Sequence, residues 1–85
     1  MKYNTQNIID VLNELGYDLL SGSYKRISTN NIHWISFFDS GHVDLCAYSF
    51  TSEPDMDQPY NTGLIDHLTP TELELLIREV NIKYD

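Results

Sequence analysis

The sequence predicts a small α+β domain with the element order αββββα. Apolar residues recur at helical spacing near both ends of the chain, whereas the middle contains segments in which apolar and polar residues alternate as they do in strands. Clusters of Asn, Asp, Ser and Gly separate these segments and indicate turns. We therefore expect an antiparallel sheet of three or four strands that carries both terminal helices on one face. The 85 residues are enough for one such domain, spanning residues 1–85.

The first helix is predicted over residues 5–15. Its apolar stripe consists of Ile8, Ile9, Leu12 and Leu15. Asn4 and Thr5 are both suited to cap the amino end of this helix, because a side-chain oxygen of either can accept a hydrogen bond from a backbone N–H of the first turn. Gly16 follows the last leucine and is the expected left-handed residue at the carboxyl end.

The last helix is predicted over residues 70–82. Thr69 and Glu72 have the spacing of a capping box, and Pro70 occupies the first helical position between them. Leu68 and Leu73 flank the cap as a hydrophobic staple. These residues are explained by helix formation alone, and we assign no chemistry to them.

Four strands are predicted over residues 17–20, 24–28, 32–38 and 42–50. Between the last two, Asp39, Ser40 and Gly41 fit a three-residue hairpin loop, which is a type I turn followed by glycine in the left-handed region. This loop places Phe38 opposite His42. The turn before residue 32 leaves the register of the preceding strand open, because a change of one residue would exchange the faces on which Arg26 and Ile27 lie.

The hairpin register divides the side chains between two faces. One face is almost purely apolar and is expected to form the core: His33, Ile35, Phe37, Val43, Leu45 and Ala47. The other face mixes aromatic and polar side chains: Ile32, Trp34, Ser36, Phe38, His42, Asp44, Cys46, Tyr48 and Phe50. A solvent-exposed sheet face is ordinarily mostly polar, so this second face is unusual. The segment 51–63, with two prolines and three acids, is predicted to be a long exposed loop.

The charge of the chain limits its partners. Thirteen Asp and Glu against five Lys and Arg give a net charge of −8. Binding to nucleic-acid phosphates or anionic membranes depends on basic clusters, which the sequence does not contain, so neither is expected. No apolar run approaches the roughly 18 residues of a membrane span, and the first residues do not follow the pattern of a secretory signal. Together with a single cysteine, these features favour a cytoplasmic location.

Two groups of residues are candidates for a metal site or a catalytic site. Glu53, Asp55 and Asp57 alternate like the start of a calcium loop, but Gln58 stands where such a loop beginning at Glu53 requires glycine. We therefore predict a solvated acidic loop, with no metal and no cofactor.

His42, Asp44 and Cys46 alternate along one strand. Successive members are about 7 Å apart at the rise of a strand, so they diverge instead of converging on one ion. Cys46 is not accompanied by a glycine-rich elbow that could form an oxyanion hole. An enzyme is not expected.

The mixed face predicts a non-catalytic protein-binding module, because aromatic anchors surrounded by polar groups are typical of protein interfaces. The residues assigned to partner binding are Trp34, Phe38, Asp44, Tyr48, Phe50, Glu53, Asp55 and Asp57. The expected partner is a larger basic protein, for example a nucleic-acid-handling enzyme whose groove is occupied by carboxylates in place of phosphates. Small acidic inhibitors of bacterial defence nucleases from mobile elements, and immunity proteins against nuclease toxins, share this size and charge but no motif with the chain.

Two alternatives remain open from the sequence. The long loop or the first helix could fold over the Trp34 face and bury it. A homodimer with a structural or regulatory role could use the same face as its own interface.

Overall fold

A computed structural model describes residues 2–49 and 58–85 of the chain. These residues form two helices and five strands: α1 (Gln6–Leu15), β1 (Asp18–Leu20), β2 (Ser23–Ile27), β3 (Asn31–Phe37), β4 (Val43–Ser49), β5 (Tyr60–Asn61) and α2 (Pro70–Lys83). The predicted α+β class, with terminal helices and an antiparallel sheet, is confirmed. Wherever the structure describes them, the predicted elements begin and end within about one residue of the observed bounds.

The sheet is an antiparallel meander with the strand order β1-β2-β3-β4-β5. The predicted count of three or four strands is too low, because β5 lies within the segment expected to be a loop. In β5, Tyr60 pairs with Ala47 and Asn61 with Cys46. Farther along the chain, Ile65 forms an isolated bridge with Val43. A strand of two residues is too short to show an alternating pattern, and its pairing depends on residues distant in sequence.

The β3–β4 hairpin has the predicted register. Ile35 pairs with Leu45. Gly41 has a φ of 87°, in the left-handed region, and its N–H donates to the carbonyl of Phe38 at 2.9 Å. The Phe38 N–H in turn donates to the carbonyl of His42 at 3.0 Å, which closes the loop.

The turn between β2 and β3 settles the register that the sequence left open. Ile27 pairs with Ile32, and the N–H of Ser28 donates to the carbonyl of Asn31 at 2.9 Å. Only Thr29 and Asn30 lie in the turn. Arg26 therefore projects to the same face as its pairing partner His33, and Ile27 to the opposite one.

Both helices have the predicted caps. The hydroxyl of Thr5 accepts from the N–H of Ile8 at 3.3 Å, and Gly16 ends α1 with a φ of 93°. At α2, the N–H of Glu72 donates to the Thr69 hydroxyl at 3.1 Å, and the Glu72 carboxylate accepts from the Thr69 N–H at 2.8 Å. Hydrogen bonds from the backbone and the side chain of Thr69 to its carboxylate lower the pKa of Glu72.

The hydrophobic core lies between the helices and one face of the sheet. Its fully buried members come from both helices, from β3 and β4, and from the segment before α1: Tyr3, Ile8, Leu12, Ile35, Val43, Leu45, Leu73 and Ile77. His33 and Ala47 are also buried, as predicted, whereas Phe37 is half-buried and meets the edge of the Tyr24 ring. The alternative in which α1 covers the opposite face is therefore wrong, because the apolar stripe of α1 is buried against the core face.

A buried polar network joins α2 to the sheet. The Asn81 amide donates to the Tyr17 hydroxyl at 2.9 Å and to the Ile77 carbonyl at 2.8 Å, and its oxygen accepts from Arg26 Nη1 at 3.0 Å. Burial raises the pKa of Tyr17 to about 12, so this hydroxyl remains protonated. Arg26 also forms an ion pair with Asp85 at 3.4 Å.

A second polar cluster holds the segment after α2 against the start of β3. His33 Nε2 lies 2.9 Å from the Tyr84 carbonyl, which also accepts from the Asn31 amide at 2.8 Å. Because a carbonyl only accepts, Nε2 carries the proton. Nδ1 of His33 is buried and has no hydrogen-bond partner among the described residues. Burial lowers the pKa of His33 and outweighs the opposing effect of its hydrogen bond to Tyr84.

Candidate protein-binding face

The face of the sheet that points away from both helices is here called the outer face. The strand register assigns it twelve of the described residues: Asp18, Leu20, Ser23, Lys25, Ile27, Ile32, Trp34, Ser36, Asp44, Cys46, Tyr48 and Asn61. None of them belongs to the hydrophobic core cluster. The outer face is thus a surface of mixed chemistry that neither helix covers.

Trp34 occupies the centre of the outer face. It pairs with Cys46 on β4 and with Lys25 on β2, and the Lys25 ammonium lies 5.4 Å from the centroid of the indole ring. The indole N–H donates to the Tyr48 hydroxyl at 2.6 Å. Both aromatic side chains are half-buried. Their hydrogen bond fixes the two rings relative to each other while part of each remains open to solvent.

The two ends of the outer face differ in polarity. At one end, Tyr48 and Ile32 are half-buried, and Ile27 is 66% exposed. At the other end, the hydroxyls of Ser23 and Ser36 form a hydrogen bond of 2.8 Å beside Leu20. The aromatic centre therefore has aliphatic contact area on one side and polar groups on the other, which is the composition of a protein interface.

Asp44 lies at the polar end, directly opposite Ser36. The residue is half-buried, and its Oδ1 atom is buried without a hydrogen-bond partner. No ion pair joins the carboxylate to another described residue. One oxygen of this carboxylate is thus shielded from water without a compensating contact among the described residues, which is energetically unfavourable.

The structure brings together three of the residues predicted to bind a partner, Trp34, Asp44 and Tyr48. Phe38 follows β3 at the hairpin loop and is 41% exposed. The other four predicted residues, Phe50, Glu53, Asp55 and Asp57, lie outside the described residues, as does most of the long loop that was considered as a cover for this face.

Sequence reasoning missed the contributions of β1, β2 and β5 to this face. Lys25 lies beside Trp34 and Ile27 lies at the aliphatic end of this face, but placing them requires the two-residue turn at Thr29 and Asn30. The strand β2 could have been assigned from its alternation. Successive side chains of a strand point to opposite faces, so assigning one residue of β2 to a face assigns all the others. Asn61 carried no comparable signal.

Of the alternating residues His42, Asp44 and Cys46, His42 has its ring nitrogens close to residues outside this group. His42 Nδ1 lies 2.9 Å from the Ser40 hydroxyl, and Nε2 lies 3.5 Å from an Asp66 carboxylate oxygen. Burial raises the pKa of the Cys46 thiol, which disfavours the nucleophilic thiolate. Within residues 2–49 and 58–85, no set of three His, Cys, Asp or Glu side chains is arranged to hold a metal ion, and no pocket is found.

The described ranges contain two helices, α1 and α2. Neither of these two helices is long and apolar enough to cross a bilayer.

Comparison with known proteins gives no relative from which a function could be taken. The chain matches no known protein family, no curated protein and no solved structure. Only the residues of the chain itself can therefore indicate its function. In the described structure, the outer face is the feature that bears on function most directly.

Proposed function

We propose that the chain is a non-catalytic binding protein that docks its outer face onto a basic surface of a larger protein. The observation that carries this proposal is the Trp34–Tyr48 pair, which is hydrogen-bonded at 2.6 Å and half-buried on a sheet face that neither α1 nor α2 covers. Tryptophan and tyrosine are enriched among the residues that dominate binding energy at protein interfaces. A pair that is already held in place loses little conformational freedom on binding.

The charge of the chain supports a basic partner. A net charge of −8 on 85 residues attracts positively charged surfaces and accelerates encounter with them. The finer form of the proposal is an inhibitor that occupies the basic groove of a nucleic-acid-handling enzyme, with carboxylates in place of phosphates. Bulk charge supports this form, and it depends on the first step, docking through the outer face.

The experiment compares two isoleucine variants in affinity purification from the native host. Ile27→Thr alters the outer face, and Ile82→Thr alters α2 on the opposite side of the molecule. Both side chains are largely exposed, at 66% and 81%, so neither substitution removes core packing. We expect the unmodified chain and Ile82→Thr to retain the same basic protein. Ile27→Thr should retain much less of it.

Binding should also weaken as the salt concentration rises, because exposed charges are screened beyond about 3 Å at 1 M salt. Two results would contradict the proposal. The first is equal retention of the partner by both variants. The second is a tight symmetric dimer of the unmodified chain in sedimentation experiments that Ile27→Thr dissociates, since the outer face would then be occupied by a second copy.

A further inference from the structure

We propose that the outer face receives an arginine side chain of the partner, with the guanidinium group pairing with Asp44 beside the Trp34 ring. This inference rests on the proposed function and specifies the chemistry that the face recognises. Its starting point is the Asp44 carboxylate, whose Oδ1 atom is buried and has no hydrogen-bond partner in the described part of the chain.

The polar neighbours of Asp44 on the outer face have partners elsewhere. Ser36, directly opposite, shares a hydrogen bond of 2.8 Å with Ser23. The Trp34 N–H is bonded to Tyr48, and the Lys25 ammonium lies 5.4 Å from the centroid of the indole ring. A hydrogen-bond donor of a partner can therefore supply the contact that Asp44 lacks among the described residues.

Arginine fits this site better than lysine for two reasons. A guanidinium presents a planar fork of N–H groups that matches a carboxylate, whereas an ammonium acts as a single point of charge. A guanidinium also packs flat against aromatic rings. Asp44 and Trp34 are diagonal neighbours on adjacent strands, and such neighbours lie about 7–8 Å apart, so one arginine side chain can reach both. The indole ring already has one cation 5.4 Å from its centroid, the Lys25 ammonium.

The test is an NMR titration of the ¹⁵N-labelled full chain with capped tri-arginine and capped tri-lysine peptides, which carry equal charge. Trp34 is the only tryptophan, so its indole N–H gives one resonance at the proposed site. We expect tri-arginine to bind about three-fold more tightly than tri-lysine and to shift this resonance and those of the amides around Asp44 most strongly.

The matched variants are Asp44→Asn and Asp10→Asn. Both remove one negative charge, but Asp10 lies on α1, where it accepts a hydrogen bond from Gln6. Asp44→Asn should weaken tri-arginine binding about five-fold and abolish the preference over tri-lysine, whereas Asp10→Asn should do neither. Asp44→Asn should also raise the midpoint of thermal unfolding of the free chain, because it removes an unpaired, partly buried charge.

The outcomes separate this inference from the proposed function. If both peptides shift the outer-face resonances equally and Asp44→Asn behaves like Asp10→Asn, the arginine assignment is overturned while docking through the outer face stands. If neither peptide shifts the outer-face resonances more than those of α1 and α2, the proposed function fails together with the inference.

Discussion

The hydrogen bond between Trp34 and Tyr48 is predicted to hold the centre of the outer face in one arrangement. Tyr48→Phe removes the acceptor of this 2.6 Å bond and little else. Because both side chains are half-buried, water can hydrate the freed indole N–H only in part. The loss should therefore match that of an ordinary intramolecular hydrogen bond, about 0.5–1.5 kcal/mol in the free energy of unfolding.

A double-mutant cycle measures the bond itself. Tyr48→Phe, Trp34→Phe and the double variant are unfolded with urea and followed by far-ultraviolet circular dichroism, since the only tryptophan is substituted in two of them. The coupling energy should fall within about 0.5–1.5 kcal/mol. In a domain of this size, Tyr48→Phe alone should lower the midpoint of thermal unfolding by about 2–12 °C.

Tyr24→Phe is the matched control. Tyr24 is also a half-buried tyrosine of the sheet, on the opposite face, but its hydroxyl has no hydrogen bond to a described residue. It should change the stability by less than about 0.5 kcal/mol. The reasoning is refuted if the effects of Tyr48→Phe and Trp34→Phe add to within about 0.3 kcal/mol, because the two side chains would then be independent.

Three further predictions concern the interior and the first helix. Burial lowers the pKa of His33 below 6.5, so the unfolded chain binds more protons than the folded chain as the pH falls through this range, and folding stability must decrease. The stability advantage of the unmodified chain over His33→Gln, measured by urea unfolding, should therefore shrink from pH 8 to pH values below about 6.5; a constant difference would contradict this. Asn81→Ala leaves the buried Tyr17 hydroxyl without its partner and should cost about 2–4 kcal/mol in the same assay, whereas a loss under about 1 kcal/mol would show that water replaces the amide. Gly16→Ala meets no atom within 4 Å but is forced to a φ of 93°, so it should cost about 1 kcal/mol; unchanged stability would mean that the end of α1 relaxes freely.

The sequence was sufficient where the determining residues are close together. Gly41 fixes the register of the β3–β4 hairpin within a loop of three residues, and the capping box needs only Thr69 and Glu72. The division of β3 and β4 into a core face and an outer face followed directly from that register. Trp34, Asp44 and Tyr48 could therefore be grouped before the structure was known.

The remaining features depend on contacts between distant parts of the chain. Asn61 joins the sheet through a pairing with Cys46, and Asn81 contacts Tyr17 although the two residues are 64 positions apart in the sequence. Neither residue lies in a sequence pattern that predicts these contacts. The unpaired state of Asp44 is equally invisible in the sequence, because it depends on the partners that Ser36 and its other neighbours have already taken.

The central claim is that the outer face around Trp34 is open in the free chain and therefore available to a partner. Paramagnetic relaxation by a soluble gadolinium chelate measures this directly, with the Ile82 methyl groups, on a side chain 81% exposed, and those of fully buried Ile35 as references. The account predicts that the ring protons of Trp34 relax clearly faster than the Ile35 methyl groups. Relaxation as slow as that of Ile35 would show that the face is covered within a single chain and would contradict the docking surface.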